Sequence, residues 1–165
     1  MERKPVIRVI VHEDYKSVEQ LQQDRPNSDL ALVQFAGELP AGYAPTSWIN
    51  VFTPTTDRFW LYVAGYGVSD LAQADSGELR FSKVTIENAI LNKEQSFFQG
   101  NQSDGFGICK GDSGGPAYMK IQNEFYVIGV VSAIQGGCKG TSFLNQTLYY
   151  ANWIQQSLTR LLIPN

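Results

Sequence analysis

Ser113 stands in the run Gly111-Asp112-Ser113-Gly114-Gly115-Pro116, where three glycines and a proline crowd around one hydroxyl. Such a run cannot continue a helix or strand, because glycine loses the most backbone entropy there and proline has no N–H. The backbone must turn tightly and leave N–H groups free, a setting in which a serine could act as a nucleophile. A serine hydroxyl is weak unless a neighbouring base takes its proton. The chain has one histidine, His12, in VIVHEDY. An acid able to orient such a base ends Asn27-Ser28-Asp29, although by itself an aspartate there reads as the end of a loop before a strand. Cys109 and Cys138 are the two cysteines, open to three readings: free thiols, part of a metal site, or one disulfide. Metal binding is disfavoured because no second cysteine or histidine sits at ligand spacing, and no cofactor is expected.

Elements that could position these groups are mostly strands. PVIRVIVH, LALVQFA, FWLYVAGYG, ELRFSKVTI and FYVIGVVSA are short, β-branched or aromatic, and bounded by turn residues. PAYMKIQNEFYVIGVV reads as two strands joined by a turn at Gln122-Asn123. Even spacing of such runs suggests an all-β sandwich or barrel. From Asn152 the pattern changes: Ile154, Leu158 and Leu161 recur at helical spacing, and Pro164 marks the stop. Between the two groups of strands, GELPAGYAPTSWINVFTPTTD has no periodicity and reads as a connector. The first apolar run is short and split by Arg8, which suits a strand and not a signal peptide. A net charge of −3 gives no footprint for nucleic acid, and no apolar run approaches the length of a membrane span.

The pattern Gly111-x-Ser113-x-Gly115 also satisfies the nucleophile elbow of α/β-hydrolases, which needs a following helix and a downstream histidine. Neither is present. GDSGGP instead resembles the nucleophile loop of the trypsin/chymotrypsin family of serine proteases. SDLALVQF resembles that family's segment carrying the triad aspartate, with Asp29 in its place. VAGYG is similar to its Gly-Trp-Gly strand, VIGVVSAIQGGC to its substrate-binding strand, and ANWIQQSL to its C-terminal helix. These segments run in family order from about Val6 to Leu162. The resemblance implies an all-β, trypsin-like double β-barrel with the first barrel truncated, the second complete and a C-terminal α-helix. Residues 1–36 would be a remnant of the N-terminal barrel, 37–50 the inter-barrel connector, and 51–165 the second barrel and helix.

By the same resemblance, Ser113 attacks a peptide carbonyl and Asp29 orients a histidine. The N–H groups of Gly111 and Ser113 form an oxyanion hole, where one donor is worth about 3–4 kcal/mol. Glycine at 111 permits the backbone orientation that this demands. Asp112 makes the family's activation salt bridge to a cleaved N-terminal amine. Cys109 and Cys138 form a disulfide, which places the chain in an extracellular or periplasmic compartment. Gly107 forms the base of the substrate pocket, Ile108 lines it, and Ser132, Ala133 and Ile134 form the wall that pairs with substrate. Glycine at 107 cannot select Lys or Arg, and Ile134 narrows the pocket toward small or aliphatic residues. The partners implied are a peptide or protein substrate and a protein inhibitor.

One part of the family's triad has no match. The triad histidine lies in an Ala-Ala-His-Cys-like turn, whereas VIVHEDY resembles a non-catalytic stretch shortly before the aspartate. His12 is therefore read as a surface residue at a strand end. The chain is read as the C-terminal two-thirds of a peptidase domain, from a late-starting gene model or a processed chain, that hydrolyses peptides poorly alone. The alternative is a degenerate homologue acting as a non-catalytic peptide-binding module. Two Asn-x-Ser/Thr sequons, at Asn101 and Asn145, are read as chance occurrences.

Overall fold

The computed structural model describes residues 3–16, 28–50, 52–53, 55–87 and 95–163. Eight strands and one helix follow in order: β1 (Val6–Val11), β2 (Ala31–Phe35), β3 (Arg58–Gly65), β4 (Arg80–Glu87), β5 (Phe97–Asn101), β6 (Pro116–Ile121), β7 (Glu124–Gln135), β8 (Thr141–Gln146) and α1 (Ala151–Leu162). β3 to β8 close into a six-stranded barrel in the order β3-β4-β5-β8-β7-β6, and β1 and β2 form a separate antiparallel pair. This is the expected all-β, trypsin-like arrangement. Two of its strands, β5 (FFQGN) and β8 (TSFLNQ), were not legible as strands.

Side chains alternate across a strand, so β3 sends Leu61 and Val63 into the barrel while Trp60 stays 60% exposed. Leu61, Val84, Ile128 and Leu144 are fully buried from four different strands. The β6–β7 hairpin turns at Gln122-Asn123, as read, with Ile121 paired to Glu124. Gln122 takes a positive φ of 57°, which the tight hairpin turns require.

α1 buries Ile154 and Leu161, as the spacing predicts, and also Trp153 and Ser157. Leu158 is partly buried on the same cluster, which includes Leu30, Tyr150 and, from the sheet, Ile10 and Leu32. Arg8 of β1 reaches the other end of the chain. Its guanidinium donates to the carbonyls of Leu161 at 3.3 Å and Ile163 at 3.0 Å. These are among the helix-end acceptors that no intrahelical donor satisfies.

His12 is not a surface residue. It follows β1 as expected but is only 9% exposed. Its ring stands edge-on to Tyr150 at 5.2 Å and tilted against Trp153 at 4.9 Å. An amphipathic ring beside two aromatics gains more from burial than from solvent. Its Nδ1 accepts the backbone N–H of Asp14 at 3.1 Å.

Candidate functional site

Three distant segments meet beside Ser113. The first is the loop itself, which leaves Cys109 and re-enters β6 at Pro116. Gly111 takes a φ of +100°, a conformation that glycine adopts without strain. Asp112 turns its carboxylate back under the loop, where Oδ1 accepts from the Gly67 N–H and Oδ2 from the Cys109 N–H, both at 2.8 Å. Gly114 and Gly115 donate to the carbonyls of Val131 and Asp112. The N–H groups of Gly111 and Ser113 have no acceptor among the described residues, and both residues are exposed.

The segment VAGYG has a physical reason to carry glycine. A Cβ at Gly67 would lie 2.7 Å from the carboxyl carbon of Asp112. Arg80 in turn donates to the Gly67 carbonyl at 2.8 Å and pairs with Asp75 at 2.9 Å. The Ser69 hydroxyl and N–H hold the Asp75 carboxyl below its usual range, and the charge of Arg80 adds to that. The support for the loop thus extends from Asp112 through Gly67 to Arg80.

The second segment is β7. Its register with β8 shifts between Val131 and Ala133, leaving Ser132 as the extra residue of a bulge. A bulge bends the strand and re-aims the side chain it carries. Ser113 Oγ donates to the Ser132 carbonyl at 3.3 Å, and Ser132 Oγ donates to Asp29 Oδ2 at 2.7 Å. Sequence reasoning gave Ser132 a place on the pocket wall and missed this double contact, because the spacing of residues carries no signal for a bulge.

Asp29 comes from the third segment, the approach to β2. Ser28 before it has a φ of +49°, rare for a residue other than glycine, and is held by the Tyr150 hydroxyl at 3.3 Å. The backbone carbonyl of Asp29 accepts from Asn145 Nδ2 at 2.5 Å. Asn145 is fully buried, so the sequon there cannot present a glycan acceptor. Asp29 itself is exposed, and its Oδ1 has no partner among the described residues. His12 does not join this group; its ring lies on α1.

Around the expected pocket, Cys109 and Cys138 form a disulfide with a Cα–Cα distance of 4.8 Å, joining the loop before Ser113 to the β7–β8 turn. Ile108, expected to line the pocket, is 2% exposed and belongs to the barrel core. Ile134 is half-buried and packs against that same cluster. Ala133 pairs with Phe143 on β8. Among the described residues no group of three or more His, Cys, Asp or Glu could hold a metal ion. No described helix is long and apolar enough to cross a membrane.

A closed six-stranded barrel, a smaller sheet and a C-terminal helix, with a Gly-Asp-Ser-Gly-Gly-Pro loop at the barrel's rim, define a trypsin-like protein. The trypsin family model matches residues 1–154, and the chain belongs to that family. Complement C1r-A subcomponent of Mus musculus is 26% identical over 93% of the chain, which covers 24% of that relative. Complement C1r subcomponent-like protein of Homo sapiens is 27% identical over 92% of the chain, covering 34% of that relative. Ovochymase of Halocynthia roretzi is 28% identical over 91% of the chain and 10% of its own length. The chain therefore spans about a third or less of the length of these relatives.

Proposed function

We propose that the chain carries the nucleophile side of a serine endopeptidase site, in which Ser113 attacks the peptide carbonyl and Asp29 orients a histidine base. The observation that carries this reading is Ser132, which accepts from Ser113 Oγ and donates to the Asp29 carboxylate. As Ser113 Oγ bonds to the carbonyl carbon, the base takes its proton. The charge on the carbonyl oxygen is received by the unpaired N–H groups of Gly111 and Ser113. The C–N bond then breaks with the proton passing to the leaving amine, and water hydrolyses the acyl ester.

His12 is not that base, since its ring packs between Tyr150 and Trp153. The reading therefore requires a histidine from outside these 165 residues, meeting Asp29 on its open Oδ1 side. In this proposal residues 1–36 belong to a first barrel, 37–50 connect, and 51–165 form the second. Asp112 remains able to receive an N-terminal amine, because each carboxylate oxygen accepts more than the one hydrogen bond that it now has. Cleavage follows small or aliphatic residues, since Gly107 offers no charge and Ile134 crowds the wall. A protein inhibitor would occupy the same cleft, and the disulfide suits an extracytoplasmic setting.

A second reading is a non-catalytic peptide-binding module of the same family. It is favoured by the absence of any histidine beside Ser113 among the described residues. An extended peptide would add to an exposed strand edge. The two readings part in one experiment. The chain is extended upstream in its own reading frame to include a histidine-bearing turn, then treated with a fluorophosphonate probe. Labelling that Ser113→Ala abolishes and Asp29→Asn slows steeply is the expected result. An extended, folded chain that takes up no probe, or takes it up equally as Ser113→Ala, leaves only the binding module.

A further inference from the structure

Gln102 is a fully buried polar residue directly after β5, at the point where the chain turns toward Gly107. Its Oε1 accepts the Ile108 N–H at 2.8 Å. Its Nε2 donates to the carbonyls of Ile108 at 3.1 Å and Cys138 at 3.0 Å. Both amide protons are therefore engaged. The carboxamide joins the approach to Cys109 to the far end of the disulfide.

The same side chain occupies the space on the inner side of Gly107. A Cβ at position 107 would lie 2.7 Å from Gln102 Cγ and would overlap the carboxamide itself. Glycine at 107 thus does more than lack a charge. It lets a neutral side chain from another segment lie where residue 107 would carry its own.

We infer that Gln102 is a specificity-determining residue, a solid and uncharged floor beneath Gly107 that excludes long and cationic substrate side chains. The inference rests on the reading of Ser113 as the nucleophile of a peptide-cleaving site. A cation reaching this floor would lose its hydration against the Gly107 backbone, with only a neutral, already bonded amide behind it and no carboxylate to compensate. An aromatic or long aliphatic chain would be stopped at Gly107 by the carboxamide packed behind it, with Ile134 crowding from the wall. A methyl group stops short of both. One methylene in such a pocket changes selectivity about 10–200-fold, so the preference for alanine over phenylalanine is at least about tenfold.

The test uses two acetyl-dipeptide boronic acids, one with a methyl and one with a benzyl side chain beside boron. Boron accepts an oxygen lone pair from Ser113 Oγ, and the hydroxyl proton passes to buffer, so the adduct forms without turnover. Binding to the upstream-extended chain, which supplies the histidine, is followed by boron NMR, with Ser113→Ala as the blank. The methyl probe should bind the natural chain and Gln102→Met at least about tenfold more tightly than the benzyl probe. In Gln102→Ala the ratio should fall to about one or invert, through a gain for the benzyl probe that mere loss of structure cannot produce. A folded Gln102→Ala that keeps the original ratio overturns the inference. If alanine abolishes folding, Gln102→Met decides: it keeps the bulk and loses the hydrogen bonds, so a collapsed ratio there also overturns it. An extended, folded natural chain that forms no Ser113-dependent adduct with either probe overturns the site reading instead, and the inference goes with it.

Discussion

The β3–β8 barrel and the β1–β2 sheet are built from the same kinds of residue, yet the apolar side chains meet opposite fates. In the barrel, Leu61, Val84, Ile128 and Leu144 are all fully buried, because closure gives every strand two neighbours and one enclosed face. In the sheet, Val9 and its cross-strand partner Val33 are 54% and 52% exposed, and Ile7 and Val11 beside Val9 are as open. The inner side of the pair is covered by α1 and Tyr150; the outer side is covered by nothing among the described residues. Hydrophobicity marks a strand, but closure decides whether it is buried. A barrel abolishes its edges, whereas two strands alone are marginal in water and depend on what they lie against.

That contrast can be broken with one pair of substitutions. Leu61→Ala in the barrel should cost about 2–5 kcal/mol, the range for emptying a well-packed core site. Val9→Ala should change stability by no more than about 0.5 kcal/mol, as at an exposed position. Urea unfolding of both variants measures the difference, and equal losses would mean that the outer face of the sheet is buried after all.

Arg8→Ala sharpens the comparison at an intermediate scale. Removing both hydrogen bonds to the end of α1 should cost about 1 kcal/mol. Amide exchange should quicken in β1, β2 and the last turn of α1, while β3, β7 and β8 keep their protection. Uniform acceleration would show the two regions to be one cooperative unit.

The smallest effect concerns Glu13, which accepts the Trp153 indole N–H at 2.8 Å. Its own backbone N–H and then the indole hold its carboxyl below the ordinary value of 4.5. A carboxylate lowered on folding contributes stability that is present above its unfolded value and is lost as pH falls through its folded value. Glu13→Gln should therefore narrow the gap between neutral and acid melting temperatures. A gap unchanged in that variant would show that the carboxylate adds nothing to the docking of α1.

What could be read from the sequence follows the same division. β1, β2, β3, β4, β6 and β7 were legible because their apolar and aromatic runs are short and bounded by turn residues. β8 was hidden because Ser142, Asn145 and Gln146 are polar residues in a strand buried from Ser142 to Gln146. Each donates one side-chain hydrogen bond to a backbone carbonyl, of Gly100, Asp29 and Gln95 respectively. β5 was hidden by Gly100, whose bare backbone lets Val84 and Ser142 close over it. At the site, the resemblance gave Ser113, Asp29 and Ser132, and the geometry adds the double contact of Ser132 and the buried amide of Gln102. Neither a bulge nor a buried amide leaves a local pattern. His12 was misplaced on the surface because its partners, Tyr150 and Trp153, lie at the far end of the chain.

Arg8 and Glu13 hold the last helix from the first strand and the turn after it, across 153 and 140 positions of sequence. Loop closure on that scale must be met before the contact returns anything. During synthesis β1 emerges before the six barrel strands and waits for α1, which follows all of them, before its inner face finds cover. The barrel between them can close on neighbouring strands as they emerge. Among these elements the order of assembly therefore runs from the barrel outward, and β1 is the one that a chaperone would meet longest.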